Sequence, residues 1–146
     1  DFIGEDNVAM ILGDSMFYGE RLAEKLKQAT EREDESTIFG YYVKDPRAYG
    51  VVEIDEEDRV LAMEEKPAVP KSTWCVPAFY CYTREDGRLI KKGIESGCGI
   101  DAPGSFIAWL CGETRVYAWA MPGKRYDIGN IASYEEVKKA FQQSLK

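Results

Sequence analysis

Three observations predict an α/β domain built on a mixed, mostly parallel sheet flanked by helices, with a β-hairpin inserted. Apolar, β-branched and aromatic runs at 8–12, 37–43 and 74–82 read as strands. Leu22, Leu26 and Ala29, and later Val137, Ala140, Phe141 and Leu145, recur at helical spacing. Between two further strand-like runs lies the acidic turn Asp55-Glu56-Glu57-Asp58, the signature of an antiparallel hairpin. With 146 residues, 45% hydrophobic and 31% charged, the chain has the profile of one globular unit rather than a disordered or fibrous one.

Taken in order, Val8 to Leu12 is a buried strand. A helix opens near Gly19 and runs to about Glu31, where the polar stretch 32–36 ends it. Thr37 to Val43 is the next strand, stopped by the turn signal Asp45-Pro46. The hairpin pairs 51–54 with 60–64. Pro67 and Pro70 then interrupt any ladder, and Trp74 to Tyr82 is one long aromatic strand. Glu85 to about Ile94 suits a helix, 96–99 a loop, 105–110 a short amphipathic helix closed at Gly112, and 115–121 a strand. Ser133-Tyr134-Glu135-Glu136 reads as a capping box that starts the last helix.

Composition narrows the function. Nineteen basic against 26 acidic side chains give a net charge of -7, which repels nucleic acid and anionic membrane surfaces, so an anionic ligand must be held locally. No apolar run approaches the roughly 18 residues of a membrane span. Cys75, Cys81, Cys98 and Cys111 form no CxxC pair and the chain has no histidine, which leaves reduced thiols and a cytoplasmic setting as the expectation.

Three places could carry chemistry. Asp14 closes Leu12-Gly13-Asp14 at the carboxyl end of the first strand, where α/β sheets bind ligands. Asp127, in Tyr126-Asp127-Ile128-Gly129-Asn130, follows another strand. If the fold unites them, two carboxylates suit magnesium, a hard ion held by one or two carboxylates plus substrate phosphates. Helix capping and turn bonding are the competing roles for a loop aspartate. In Glu64-Glu65-Lys66-Pro67 a carboxylate can accept sugar hydroxyls while an ammonium holds a phosphate, and Pro67 biases Lys66 toward extended backbone; a solvated strand end is the alternative. Gly50, after Tyr49, could let a ligand touch bare backbone or mark a turn.

The segments Val8-Ala9-Met10-Ile11-Leu12-Gly13-Asp14-Ser15-Met16-Phe17-Tyr18-Gly19, Phe39-Gly40-Tyr41-Tyr42-Val43-Lys44-Asp45-Pro46, Tyr49-Gly50-Val51-Val52 and Glu64-Glu65-Lys66-Pro67 together resemble the sugar nucleotidyltransferases. The likeness continues through 104–110, Tyr126-Asp127-Ile128-Gly129-Asn130 and the last helix. It implies an incomplete nucleotide-diphospho-sugar transferase (Rossmann-like) fold, with residues 1–146 as the C-terminal portion of a single domain. It also implies a reaction in which a sugar 1-phosphate, with glucose 1-phosphate the family expectation, attacks dTTP or UTP and expels pyrophosphate. By the same resemblance Asp14 and Asp127 hold magnesium and, with Lys66, carry catalysis; Gly50 and Glu65 contact the sugar, Lys66 its phosphate, and Val76 and Tyr80 lie on the sugar-side strand.

Two departures accompany the likeness. Pro77-Ala78 stand where the family has Thr-Gly, and the G-x-G-T-R-L-x-P loop that holds the triphosphate does not occur in these residues. The expectations are therefore that this chain is inactive alone and that its first strand, lacking a neighbour, drives self-association into a homo-oligomer. A non-catalytic sugar-phosphate-binding or regulatory module is the alternative, and a purely structural domain the third reading.

Overall fold

The computed structural model describes residues 3–77 and 79–144, with the side chains of Asp127, Gln143 and Ser144 outside the description. Ala78 and Leu145, which entered the sequence reading, therefore lie outside the described residues. The elements run β1 (Val8–Ile11), β2 (Ser15–Tyr18), α1 (Leu22–Thr30), β3 (Ser36–Tyr42), β4 (Gly50–Ile54), β5 (Val60–Glu65), β6 (Trp74–Val76) and β7 (Phe79–Tyr82). They continue with α2 (Arg84–Arg88), α3 (Ile90–Glu95), α4 (Pro103–Leu110), β8 (Val116–Ala120), β9 (Lys124–Asp127) and α5 (Ile131–Ser144).

Seven strands form one sheet around β3, whose Ile38 and Phe39 are both fully buried, one toward each face. The expected mostly parallel sheet is corrected here: among the described residues β3–β8 is the only parallel pair. The physical reason is that β7 inserts between β1 and β3 and runs antiparallel to both, while β6 does the same between β3 and β4. Periodicity reports which stretches are strands and is silent on the direction of their partners.

The single strand expected over 74–82 is two strands. From the pair Ile38–Tyr80 to the pair Tyr41–Cys75, β3 advances three residues and its partner five. Pro77, fully buried, sits at that bulge, where a residue without an N–H costs the ladder nothing. The sheet forks there, β6 leading to β4 and β5, and β7 leading to β1.

Two apolar layers cover the sheet. On one face Ile38, Val52, Val60, Met63, Tyr80 and Val116 pack against Phe106, Ile107 and Leu110 of α4. On the other, Phe39, Phe79 and Cys81 meet Ala29 and Leu26 of α1, with Phe17 and Trp119. Strand alternation produces this division, since Phe79 and Cys81 face one side and Tyr80 and Tyr82 the other.

Three local expectations also change. The helix expected over 85–94 is two short ones joined at Leu89, and it starts at Thr83, whose hydroxyl accepts from the Asp86 amide at 3.1 Å. Ser133 is not the cap of α5: the Asn130 side chain accepts from the Ser133 amide at 3.0 Å, and the Ser133 hydroxyl donates back to the Asn130 carbonyl. On the expected apolar face of α5, Val137 is buried whereas Ala140 is exposed.

Candidate functional site

β2 and β9, neither of them evident as a strand from local pattern, form a separate two-stranded ladder pairing Ser15 with Asp127, Met16 with Tyr126, Phe17 with Arg125 and Tyr18 with Lys124. The Ile128 amide extends it by donating to the Asp14 carbonyl at 2.8 Å. The backbones of Asp14 and Asp127 are thereby set side by side, which their sequence positions alone could not do. The ladder is anchored by Phe17 against Phe79 of the main sheet at 5.5 Å, and by Tyr18 and Tyr126 against Phe141 of α5 at 5.3 and 5.8 Å.

The geometry also bears on the competing capping roles. Asp14 leads into a strand, and α1 begins later, with Arg21 as a left-handed N-cap that makes no side-chain capping bond. The Asn130 side chain caps the first turn of α5. Asp14 is exposed, so its carboxylate is available to a ligand. Among the described residues no cluster of three His, Cys, Asp or Glu side chains gathers into a self-sufficient metal cage. The exposed Asp14 carboxylate, with the Asp127 backbone alongside, fits an ion that takes its other ligands from water and substrate phosphate, as magnesium does.

Arg125 connects this ladder to the hairpin. Its guanidinium donates to the Ser15 hydroxyl at 2.9 and 3.1 Å, and lies 6.0 Å from the centre of the Tyr49 ring. It also hydrogen-bonds Tyr41, whose hydroxyl is raised above the ordinary tyrosine range by burial, the neighbouring guanidinium opposing that rise. Tyr49 in turn accepts the Lys66 amide at 3.0 Å through its carbonyl. Lys66 has φ +46, a left-handed conformation in place of the extended one expected before Pro67. The bond from its amide to Tyr49, at the exit of the hairpin, holds it there against a strain of about 1–3 kcal/mol. Its side chain is exposed.

Glu65 pairs with Gly50 across the hairpin, and Gly50 pairs on its other side with Val76. Alternation along β5 turns Glu65 and Met63 to the face covered by α4, and Glu64 to the opposite one. A Cβ on Gly50 would lie 2.5 Å from Met63 Cε and 3.0 Å from Glu65 Oε2, so only glycine allows the carboxylate to lie against this backbone. Tyr80 is 97% buried beneath, with a hydroxyl driven well above its usual range by burial and then by the charge of Glu65. Val76 keeps its side chain in the core, 4% exposed, and can offer a ligand its backbone only.

The expected residues thus fall into two groups, Asp14 with Asp127 and Gly50, Glu65, Lys66, Val76 with Tyr80, joined through Ser15, Arg125 and Tyr49. Sequence reading missed Arg125 altogether. No local pattern marks it, because its meaning arises from a ladder between residues more than a hundred positions apart.

The mixed α/β fold thus brings the backbones of Asp14 and Asp127 together at one end of a short ladder and links it through Arg125 and Tyr49 to the Glu65-Lys66 strand end. Residues 1–144 match the Nucleotidyl transferase family model, and the chain belongs to that family. It is 36% identical over 97% of its length to a glucose-1-phosphate thymidylyltransferase of Neisseria gonorrhoeae, of which the match covers 52%. It is 42% identical over 93% of its length to the enzyme of the same name from Xanthomonas campestris pv. campestris strain B100, covering 49% of that protein. The chain spans about half the length of the curated relatives it matches. In fold it superimposes on an apo UDP-glucose pyrophosphorylase with a TM-score of 0.82 at 22% identity, over 99% of this chain and 57% of that one.

Proposed function

We propose that these residues form the sugar-phosphate and metal side of a nucleotidyltransferase site that joins a sugar 1-phosphate, glucose 1-phosphate by kinship, to the nucleoside monophosphate of dTTP or UTP. The observation that carries the reading is the ladder that sets Asp14 beside Asp127 and, through Arg125 and Tyr49, leads to Lys66. Four free cysteines fit work in the reducing cytoplasm. Among the described residues no helix is long and apolar enough to cross a membrane.

In the reaction an oxygen of the sugar phosphate forms a bond to the α-phosphorus of the triphosphate. The bond from that phosphorus to the bridging oxygen breaks, and pyrophosphate leaves with the electron pair. No covalent enzyme intermediate is needed, so the protein's part is positioning and charge compensation. Lys66 holds the sugar phosphate on its exposed ammonium, on a backbone pinned by Tyr49. Glu65 accepts from the sugar hydroxyls, the missing side chain of Gly50 leaving room for its carboxylate, and Gly50 by kinship meets the sugar through its backbone. Asp14 and Asp127 would hold magnesium, which when bound neutralises phosphate charge.

No segment of these 146 residues matches the glycine-rich triphosphate loop, so the chain alone is expected to turn over no substrate. Pyrophosphate release with dTTP or UTP, glucose 1-phosphate and magnesium, set beside a binding titration with glucose 1-phosphate, tests both parts. Binding without turnover is the expected result. Turnover by the chain alone, or binding untouched by Glu65→Gln and Lys66→Met, contradicts the proposal.

A further inference from the structure

The side of Glu65 away from Gly50 is closed by a residue outside the hairpin. Gly104 is buried in the first turn of α4, and a Cβ placed on it would lie 2.5 Å from Met63 Cε, 2.8 Å from Glu65 Oε2 and 3.6 Å from the Tyr80 hydroxyl. Met63 Cε and Glu65 Oε2 are the same two atoms that a Cβ on Gly50 would meet. The carboxylate therefore lies in a slot between two glycine backbones, one on β4 and one on α4.

Neither wall can retreat. Gly50 is held by ladder partners on both sides, Glu65 and Val76. α4 is seated by Phe106, Ile107 and Leu110, all in the main core, and by the Phe106 ring against Tyr82 of β7 at 5.5 Å, and Pro103 fixes its first turn. What can move is the contents of the slot, since both atoms that a Cβ at 104 would overlap are the far ends of flexible side chains. A methyl group there leaves the fold intact and displaces the carboxylate.

We propose that Gly104 is a positioning residue for sugar recognition: by carrying no side chain it fixes where the Glu65 carboxylate meets the sugar hydroxyls. This rests on the reading of Glu65 as a sugar ligand. A glycine inside a helix lowers helical stability relative to alanine, so helix propensity alone gives no reason for one at this position. The slot provides the reason.

The test is a calorimetric or NMR titration of the chain with glucose 1-phosphate and, separately, with inorganic phosphate, for wild type, Gly104→Ala, Glu65→Ala and the double variant, each with its melting temperature. Misplacing one charged acceptor should weaken glucose 1-phosphate binding about 10-fold or more in Gly104→Ala. Inorganic phosphate binding should be unchanged, and the melting temperature equal to or above wild type. In the Glu65→Ala background the Gly104 substitution should have no further effect on glucose 1-phosphate, because the group it positions is gone. An equal loss in both backgrounds, a parallel loss of phosphate binding, or undiminished glucose 1-phosphate binding by Gly104→Ala overturns the inference while leaving the sugar-phosphate reading intact. A wild-type chain that does not bind glucose 1-phosphate overturns that reading and this inference with it.

Discussion

Replacing Gly123 by alanine should open the ladder between β2 and β9 while the main sheet stays folded. Gly123 has φ +90, and a Cβ there would lie 2.4 Å from the Tyr18 carbonyl oxygen and 2.6 Å from Gly19 Cα. Both are backbone atoms and cannot swing aside as a side chain would. Conformational strain of about 1–3 kcal/mol and overlap worth about 1–3 kcal/mol together demand about 2–6 kcal/mol. A two-stranded ladder of four pairs is marginal on its own, so it opens rather than absorb such a cost. Native-state hydrogen exchange reads the outcome at the Ile128 amide, which donates to Asp14. Its protection should fall by about one and a half to four orders of magnitude at roughly 1.4 kcal/mol per tenfold change, while the Phe39 amide in the central strand keeps its own. Unchanged protection at Ile128, or equal loss at Ile128 and Phe39, would refute the view of the ladder as a separate element that brings the two aspartates together.

Three further outcomes are expected. Lys66→Gly relieves the left-handed strain at φ +46 and so should hold or raise the melting temperature while abolishing inorganic phosphate binding; a lower melting temperature with binding retained would reverse the assignment. Burial pushes the Cys75 and Cys81 thiols up to about 11, so from about pH 9 to 11 the unfolded chain loses protons that the native chain keeps. Stability should then fall with rising pH across that window, as denaturant titrations at pH 8, 9.5 and 10.5 would register, and Cys75→Ala/Cys81→Ala should flatten the slope. The outer edge of β1 pairs with no other strand among the described residues and carries Ile11, 48% exposed, so the chain should self-associate; light scattering that finds a monomer at 100-fold varied concentration counts against this.

What could be read from the sequence follows how local its determinants are. The hairpin of β4 and β5, the central strand β3, and α4 announce themselves through alternation, β-branched content and turn residues within a few positions. β2 and β9 are four residues each, and they exist as strands only because they pair with each other across the length of the chain. Pairing direction has no local signature either, which is why a sheet with one parallel pair among the described residues was expected to be mostly parallel. Pro77 did carry the signal that splits 74–82, since proline cannot donate within a ladder. At the site, Glu65, Lys66 and Gly50 were legible from a charged strand end and a glycine before a strand, whereas the left-handed turn at Lys66 reverses a local rule under the pull of a tertiary hydrogen bond. Arg125 and Gly104 acquire their places only once the chain is folded, by reaching Ser15 and by closing over Glu65.

The central claim is that the paired aspartates and the Glu65–Lys66 strand end are one site, and the linkage between magnesium and glucose 1-phosphate tests it most directly. If they share a ligand, magnesium must tighten glucose 1-phosphate binding by the same factor as glucose 1-phosphate tightens magnesium binding. The account predicts a several-fold coupling in the wild-type chain, lost in both Asp14→Asn and Asp127→Asn while metal-free binding of glucose 1-phosphate persists. Binding of glucose 1-phosphate that is indifferent to magnesium in the wild-type chain would contradict it and point to a sugar-phosphate-binding module with no metal at its centre.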